Sequence, residues 1–346
     1  MIKVSLGVIA LNEEDNIGLL LNSIAAQDYD HSLIEIILVD SGSVDSTKSK
    51  MSEFKERRKD FSVKVLDNPR KIQASGWNVA ICAASGDVFI RADAHSVLPN
   101  DFVRNNVECI ESGEYVCGGQ TVKIAKEDNF KQRLLLMAEN SMFGSGAAKY
   151  RRGAEDRYVK TIAQGCYRME VFEKVGLFNE KLRRSEDNEL HYRIRKAGYR
   201  IFMSSKIKSE YLSRSSLKGM LKQKYGNGKW VGITTKISPS IFSPYHYVPL
   251  AFAIAAFICF GMFIASLFPA VTDWLGLPFL IGCAAYLIVD ILLTLISCHK
   301  CGTAKAIFLL LIIFPLLHFA YGIGTIAGLL QAPFADLDFD ACLRIR

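Results

Sequence analysis

Residues 34–45 read Ile34-Glu35-Ile36-Ile37-Leu38-Val39-Asp40-Ser41-Gly42-Ser43-Val44-Asp45, a β-branched apolar run that breaks into a polar turn. Such a run is a buried strand, Ile34–Val39, and the turn marks its end. The same alternation extends on both sides. The pattern predicts a strand at Val4–Ala10 and a helix at Asp15–Gln27 before it. After it come a charged helix at Asp45–Lys59, a strand at Val63–Leu66, a helix at Ile72–Ala84 and a strand at Asp87–Arg91. Strands separated by helices of this length pair in parallel through crossover connections, giving a Rossmann-like, mostly parallel α/β sheet of the nucleotide-binding kind. Ligands of such sheets sit at the carboxyl ends of the strands. The residues of interest are therefore Asn12-Glu13, Asp40-Ser41-Gly42-Ser43, Asn68 and Asp93-Ala94-His95. Further helices are expected near residues 100–111, 129–140, 170–175 and 186–197.

The chain of 346 residues has a formal charge of +7, with 50% hydrophobic and 22% charged residues, but the charges are unevenly spread. The 84 residues from Tyr247 to Leu330 hold only Asp273, Asp290, Lys300 and Lys305. This excludes a purely soluble protein, a disordered chain and a disulfide-stapled secreted domain. The nine cysteines have no framework spacing, as expected of free thiols in a reducing compartment. Cys298-His299-Lys300-Cys301 is an isolated C-x-x-C pair, read as a short loop or as a metal or redox site. The apolar stretch Val4–Leu11 runs straight into Asn12-Glu13-Glu14-Asp15, unlike an export signal, so the polar domain is expected to stay on the side where it is made.

Four regions follow: a catalytic domain over 1–210, a basic segment over 211–246, three apolar helices over 247–330 and a tail over 331–346. From Tyr211 to Thr272 there is no acidic residue, while Arg214, Lys218, Lys222, Lys224, Lys229 and Lys236 alternate with Leu217, Met220, Tyr225 and Trp230. That pattern reads as a stretch lying on an anionic membrane surface, or as a solvated basic helix face. The spans are expected at about 248–268, 277–297 and 306–330, each near the roughly 20 residues needed to cross the bilayer. The lysines before the first span and between the second and third place those ends in the cytoplasm, with the 269–276 loop and the tail outside. Asp290 lies mid-span, with His318 as a candidate partner; it reads either as a polar lining or as a hydrogen-bonded packing site.

Each chemical motif has two readings. Asp40 either accepts a hydrogen bond from a nucleobase N–H or closes an Asx turn ahead of an Asp45 helix cap. Asp93 and His95, two residues apart after a strand, either converge on a divalent cation, Mn²⁺ better than Mg²⁺, or form a structural turn. Ser185-Glu186-Asp187 either offers a general base or merely caps a helix, with Ser185 as the cap.

The order of these pieces, Asn12-Glu13-Glu14, the Asp40 turn, Asp93-x-His95, and Glu186-Asp187 followed by Leu190 and Arg193, resembles the inverting family 2 glycosyltransferases of GT-A fold. The resemblance covers roughly residues 3–230. Asp-Ala-His, Asn68-Pro69-Arg70-Lys71 and Gln223–Lys229 are most similar to the membrane-anchored exopolysaccharide branch, of the succinoglycan type. The resemblance implies that Asp40 binds the uracil of a UDP-sugar, that Asn12 and Glu13 line the nucleotide cleft, and that Asp93 lies at the ribose and diphosphate. It implies His95 as a metal ligand beside Asp93, Asp187 as the base with Glu186 beside it, and Arg193 among the substrate contacts. This sequence departs from the family at His95, where many relatives have Asp, and at Ile72, where a Gly is usual. Gln223 and Trp230 echo a processive-synthase motif that lacks its arginine here. The implied activity is transfer of a single hexose to a lipid-linked saccharide at the cell membrane, with a divalent cation and no nucleic acid partner. The alternatives are a processive synthase, a polyprenyl-phosphate glycosyltransferase or a non-catalytic membrane scaffold.

Overall fold

The run Ile34–Asp40 is buried at every residue, and it occupies an inner position of a nine-stranded sheet. The computed structural model describes residues 1–144, 155–213, 216–268, 272–299 and 302–337. In chain order the first elements are β1 (Val4–Ala10), α1 (Ile17–Ala25), β2 (Ile34–Asp40), α2 (Thr47–Arg57), β3 (Ser62–Asp67), α3 (Gln73–Ala83) and β4 (Val88–Asp93). There follow β5 (Ser96–Val97), α4 (Phe102–Glu111), β6 (Val116–Ile124), α5 (Phe130–Asn140), β7 (Arg157–Val159), β8 (Cys166–Arg168), α6 (Met169–Val175), α7 (Glu186–Lys196) and β9 (Ile201–Leu212). The last helices are α8 (Leu217–Thr234), α9 (Val248–Ser266), α10 (Leu277–Cys298) and α11 (Ala304–Gln331).

The described residues divide into two units. One holds 1–124 and 155–212 together with Asp336 and Leu337; the other holds 125–144 and the described residues from Ser213 to Ala335. The helix α5 thus belongs with the C-terminal helices, and the chain returns to the sheet unit after α11.

In the sheet unit the strand order is β3-β2-β1-β4-β8-β6-β9-β5, with β7 on β9. Strands β1 to β4 are parallel, whereas β8 runs antiparallel between β4 and β6. The alternation of side chains across β2 builds both layers. Ile36 and Leu38 join Leu6, Leu20, Ile90 and Phe102 on one face; Ile37 and Val39 join Trp77, Phe89, Phe172 and Leu190 on the other. Strand β3 lies at the edge and is correspondingly half-exposed. Strands β6, β8 and β9 were not foreseen. In β6 the pairing with β9 slips between Gly118 and Gln120, and a Cβ on Gly119 would lie 1.7 Å from the Ile207 carbonyl oxygen, so only glycine permits that approach.

The second unit contains three helices long and apolar enough to cross a membrane, within Pro244–Ser266, Trp274–Cys298 and Ala304–Phe334, with mean hydropathies of 2.5, 2.5 and 2.4. The middle of the basic segment, with Lys218, Lys222, Lys224 and Lys229, is the helix α8, packed against α11 through glycines on both, while Arg214 lies outside the described residues. A Cβ on Gly228 would meet the Tyr321 carbonyl oxygen at 2.0 Å, and one on Gly324 the Tyr225 oxygen at 2.2 Å. Gly232 and Gly328 repeat the contact one turn on, a small-xxx-small seam on each helix. Asp290 is buried and accepts the Thr294 hydroxyl at 3.3 Å, while His318 pairs with the Tyr286 hydroxyl at 2.8 Å and the Phe143 carbonyl at 2.6 Å. The expected Asp290–His318 pair is therefore replaced by a Tyr286–His318 pair. Cys298 is buried among α11 residues; Cys301 lies outside the described residues.

Candidate active site

Two acidic residues stand at the ends of the strands flanking β1. Asp40 ends β2 and pairs in register with Ala10; Asp93 ends β4 and pairs with Ile9. With one strand between them, their backbones are roughly 10 Å apart. Asp40 is buried, and its carboxylate accepts the backbone N–H groups of Gly42 and Ser43 at 3.1 and 3.2 Å. This is the Asx turn foreseen as one reading; Asp45, expected as the helix cap, accepts the Thr47 N–H at 3.0 Å, but the cap position of α2 is Ser46, which makes no side-chain cap. Gly42 has φ +81°, and a Cβ there would meet the Lys71 side chain at 2.7 Å. The adjoining turn is fixed by Asn68, which donates to Ser41 and to the Ile72 carbonyl and accepts from Ser75.

Asn12 and Glu13 follow β1 and organise the neighbouring loops. The Asn12 side chain accepts the Val44 N–H, and its backbone N–H donates to the Ser43 hydroxyl, both at 2.9 Å. Glu13 accepts the Asn16 amide at 2.7 Å and lies 3.2 Å from His95 Nδ1. The His95 ring also meets Tyr211 edge-on at 4.3 Å. If Nδ1 carries the proton towards Glu13, Nε2 keeps its lone pair, the tautomer a metal ligand needs.

Asp93 and Asp187 are gathered by a residue that sequence reading missed. Arg91 shares a face of β4 with Asp93, is buried, and donates to it at 3.3 Å. Burial opposes its charge, but Asp93, Glu186 and Asp187 together hold the guanidinium above its ordinary value. Trp77 covers it, 4.6 Å from ring centre to guanidinium carbon. Glu186, the first residue of α7, is itself buried. Desolvation, then the charge of Asp187, push its carboxyl up to about 7, with Arg91 pulling the other way. Asp187 accepts from the backbone and side-chain amides of Asn188 at 2.7 and 2.9 Å.

Behind the cluster, His191 is fully buried between the Thr161 hydroxyl at 2.9 Å and the Tyr167 hydroxyl at 2.8 Å. Burial, reinforced by Arg91 and Arg195, lowers its pKa to about 3, so the ring stays neutral and serves as a spacer. Among the described residues, the non-glycine positions with left-handed backbone are Asn12, Lys71 and Ser185, and each adjoins this site. Ser185 makes no side-chain cap, contrary to expectation. Its φ of 65° turns the chain into α7, and its carbonyl accepts the Glu189 N–H. Strain of this kind, of order 1–3 kcal/mol per residue, concentrates where function holds it in place. Arg193, expected among the substrate contacts, is bound within the domain. It pairs with Glu189 and donates to the carbonyls of Val175, Gly176 and Leu177, tying the end of α6 to α7.

A divalent cation is implied by the fold, and the donor types present suit one. Asp93 offers oxygen and His95 nitrogen, with Glu13 behind the imidazole. Among the described residues no group of three or more His, Cys, Asp or Glu is assembled as a cage. Two ligands are what a site completed by diphosphate oxygens and water requires.

The family model described as glycosyl transferase family 2 matches residues 5–176. Those residues are a family 2 glycosyltransferase domain. The family 2 domain is joined in the full chain by three long apolar helices. The succinoglycan biosynthesis protein ExoA of Rhizobium meliloti is 33% identical over 201 residues, 56% of this chain and 58% of that protein, so the match spans somewhat over half of this relative. A Methanococcus voltae dolichyl N-acetyl-α-D-glucosaminyl phosphate 3-β-D-2,3-diacetamido-2,3-dideoxy-β-D-glucuronosyltransferase is 27% identical over 66% of this chain and 73% of its own length. The mannosyltransferase PcManGT of Pyrobaculum calidifontis, solved with GDP-Man and Mn²⁺, superposes with a TM-score of 0.55, 17% identity and coverage of 96% of this chain and 87% of that one, a likeness of fold.

Proposed function

We propose that the chain transfers one hexose from a nucleotide-sugar donor, a UDP-hexose, to a hydroxyl of a lipid-linked saccharide, with inversion, in exopolysaccharide biosynthesis. The observation that carries this reading is the buried Arg91 guanidinium, bonded to Asp93 within the family 2 domain and under the charge of Glu186 and Asp187, which lie just beyond the residues that the family model matches. The likeness to the succinoglycan biosynthesis protein ExoA supports exopolysaccharide biosynthesis, and that to the dolichyl phosphate sugar transferase supports a lipid-linked acceptor.

The chemistry asked of the residues is short. Asp187 accepts the proton of the acceptor hydroxyl as its oxygen bonds to the anomeric carbon; the bond from that carbon to the diphosphate oxygen breaks, and the nucleoside diphosphate leaves. A positioned base contributes about 10²–10⁴ in rate. Arg91 keeps Asp187 and Asp93 from repelling one another, and Glu186, protonated below about pH 7, adds no second negative charge beside the base. Asp40 and Asn12 border the place where a uracil ring would lie. A divalent cation held by Asp93 and His95 would supply charge neutralisation for the departing diphosphate. Cytoplasmic nucleotide-sugars fit a domain on that side of the cell membrane, anchored by the apolar helices so that a lipid-borne acceptor is met at high effective concentration.

The test is to incubate membranes containing the protein with radiolabelled nucleotide-sugars in turn and extract the lipid. One UDP-hexose is expected to label the lipid fraction, and EDTA to abolish the transfer. Label in a long polymer retained with the protein would instead favour the processive alternative, and no label from any donor would contradict the proposal.

A further inference from the structure

The sheet unit includes chain from both sides of the apolar region, since residues 1–212 precede that region and Asp336 and Leu337 follow it. The return is well built. The amide of buried Asn179 donates to the Leu337 carbonyl at 3.1 Å, its oxygen accepts the Lys181 N–H at 3.0 Å, and the Lys181 ammonium lies 2.7 Å from the Asp336 carboxylate. Leu337 is only 6% exposed. One folded unit cannot straddle a bilayer, because its joining chain would leave backbone groups unsatisfied in hydrocarbon. The number of crossings between Ser213 and Ala335 is therefore even, although three helices there are long and apolar enough to cross.

We infer that α9 and α10 cross as a hairpin and that α11 does not cross, but lies in the plane of the interface with one apolar stripe turned to the acyl chains. Charged helices line α11. Leu134, Leu135 and Ala138 of α5 pack with Leu310, Ile313 and Leu317, and the glycines of α8 pack with Gly324 and Gly328. Those helices carry Lys131, Arg133, Lys218, Lys222 and Lys229. A charged side chain at the bilayer centre costs about 3 kcal/mol on insertion scales, so α11 does not cross with such neighbours beside it. Burial separates the helices in the same way. In its most apolar window α11 is 33% buried, against 6% for α9 and 11% for α10, the greater exposure expected of a hairpin set mainly in lipid.

Of the exposed large residues of α11, Phe308, Ile312, Leu316, Ile323 and Leu330 fall within an arc of roughly 80° at 3.6 residues per turn, and Leu329 in the last turn lies outside it. That is the single stripe of an interfacial helix, and it continues the apolar surface of the hairpin. The tip of the hairpin runs clear of α11, although α10 lies beside it from Tyr286 against His318 to Cys298 among Ala306 and Leu310. Gly322 lies against the Pro249 carbonyl and Ala253, and Phe319 against Phe252 and Phe257, whereas further on Phe279 packs between Phe260 and Phe263. Trp274, 79% exposed at the hairpin tip, suits the opposite headgroup layer.

The test uses the full chain with an epitope and a sequence-specific protease site at each end, in sealed vesicles of both orientations. Both ends are expected to be cut from the same face; cutting from opposite faces overturns the inference. Single-cysteine variants Thr272→Cys and His299→Cys in a cysteine-free chain, reacted with a membrane-impermeant maleimide, assign the helices. Position 299 is expected to label from the face of the two ends and position 272 from the opposite face. Label at 299 from the opposite face would mean that α11 crosses, and label at 272 from the face of the ends would mean that the hairpin does not; either overturns the assignment. The tagged native chain gives the parity result even if the cysteine-free chain fails to fold.

Discussion

Arg91 decides the electrostatics of the site, because one buried cation is paired with Asp93 and is held charged by Asp93, Glu186 and Asp187 together. Breaking such an arrangement by removing one partner typically costs about 3–5 kcal/mol, well above the fraction of a kcal/mol of a surface pair. Glu186 is the group whose charge state changes near neutrality: below about pH 7 it keeps its proton, and above that it places a second anion beside Asp187. Transfer measured against pH is expected to bend near pH 7 in the native chain. Glu186→Gln, fixed in the neutral state, is expected to keep turnover within about tenfold and to lose the bend, since a base contribution of about 10²–10⁴ remains with Asp187. An unchanged bend in Glu186→Gln would assign it to another group. The positions of Asp40 and Asp93 at strand ends and of Asp187 in the first turn of a helix were legible in the sequence, because an apolar run that breaks into polar residues marks such ends. Arg91 was not, because it sits inside Val88–Asp93 and reads as one charge in a strand; the clue was its i, i+2 spacing to Asp93. Ser185 was misread because a cap has the same local sequence as a strained turn.

At the scale of elements, the alternation from Val4 to Asp93 was readable to within a few residues, since apolar strands buried on both faces leave little ambiguity. The second half of the sheet was not. Strand β9 spends Ser204, Ser205, Lys206 and Lys208 within its length, and β6 contains two adjacent glycines, so neither shows the usual strand signal; tertiary pairing supplies what propensity lacks. The glycine seam between α8 and α11 was likewise hidden in a stretch read for its lysines. Gly324→Val would drive a Cβ into the Tyr225 carbonyl, which lies 2.2 Å from that position. The variant is expected to unfold at a lower temperature in detergent, by an overpacking penalty of about 1–3 kcal/mol. Gly282→Val, where a Cβ meets nothing within 4 Å, is expected to leave the melting temperature close to native. Equal melting of the two variants would contradict the seam.

For the whole molecule, a family 2 domain and a set of apolar helices share one chain, and the chain re-enters the sheet unit after the last of them. Composition alone revealed the two-part plan, because charge falls almost to nothing over 84 residues. It did not reveal that residues 125–144 pack with the helices or that Leu337 docks on Asn179, since such long-range contacts leave no periodic trace. The activity proposed for this assembly stands on Asp187 acting at the acceptor side. The direct measurement is transfer of label from the active UDP-hexose to extracted lipid by membranes carrying the native chain or Asp187→Asn, alongside equilibrium binding of the same donor. Binding is expected to survive in Asp187→Asn while transfer falls by about 10²–10⁴. Transfer at the native rate by the Asp187→Asn chain would contradict the assignment of the base, and with it the mechanism.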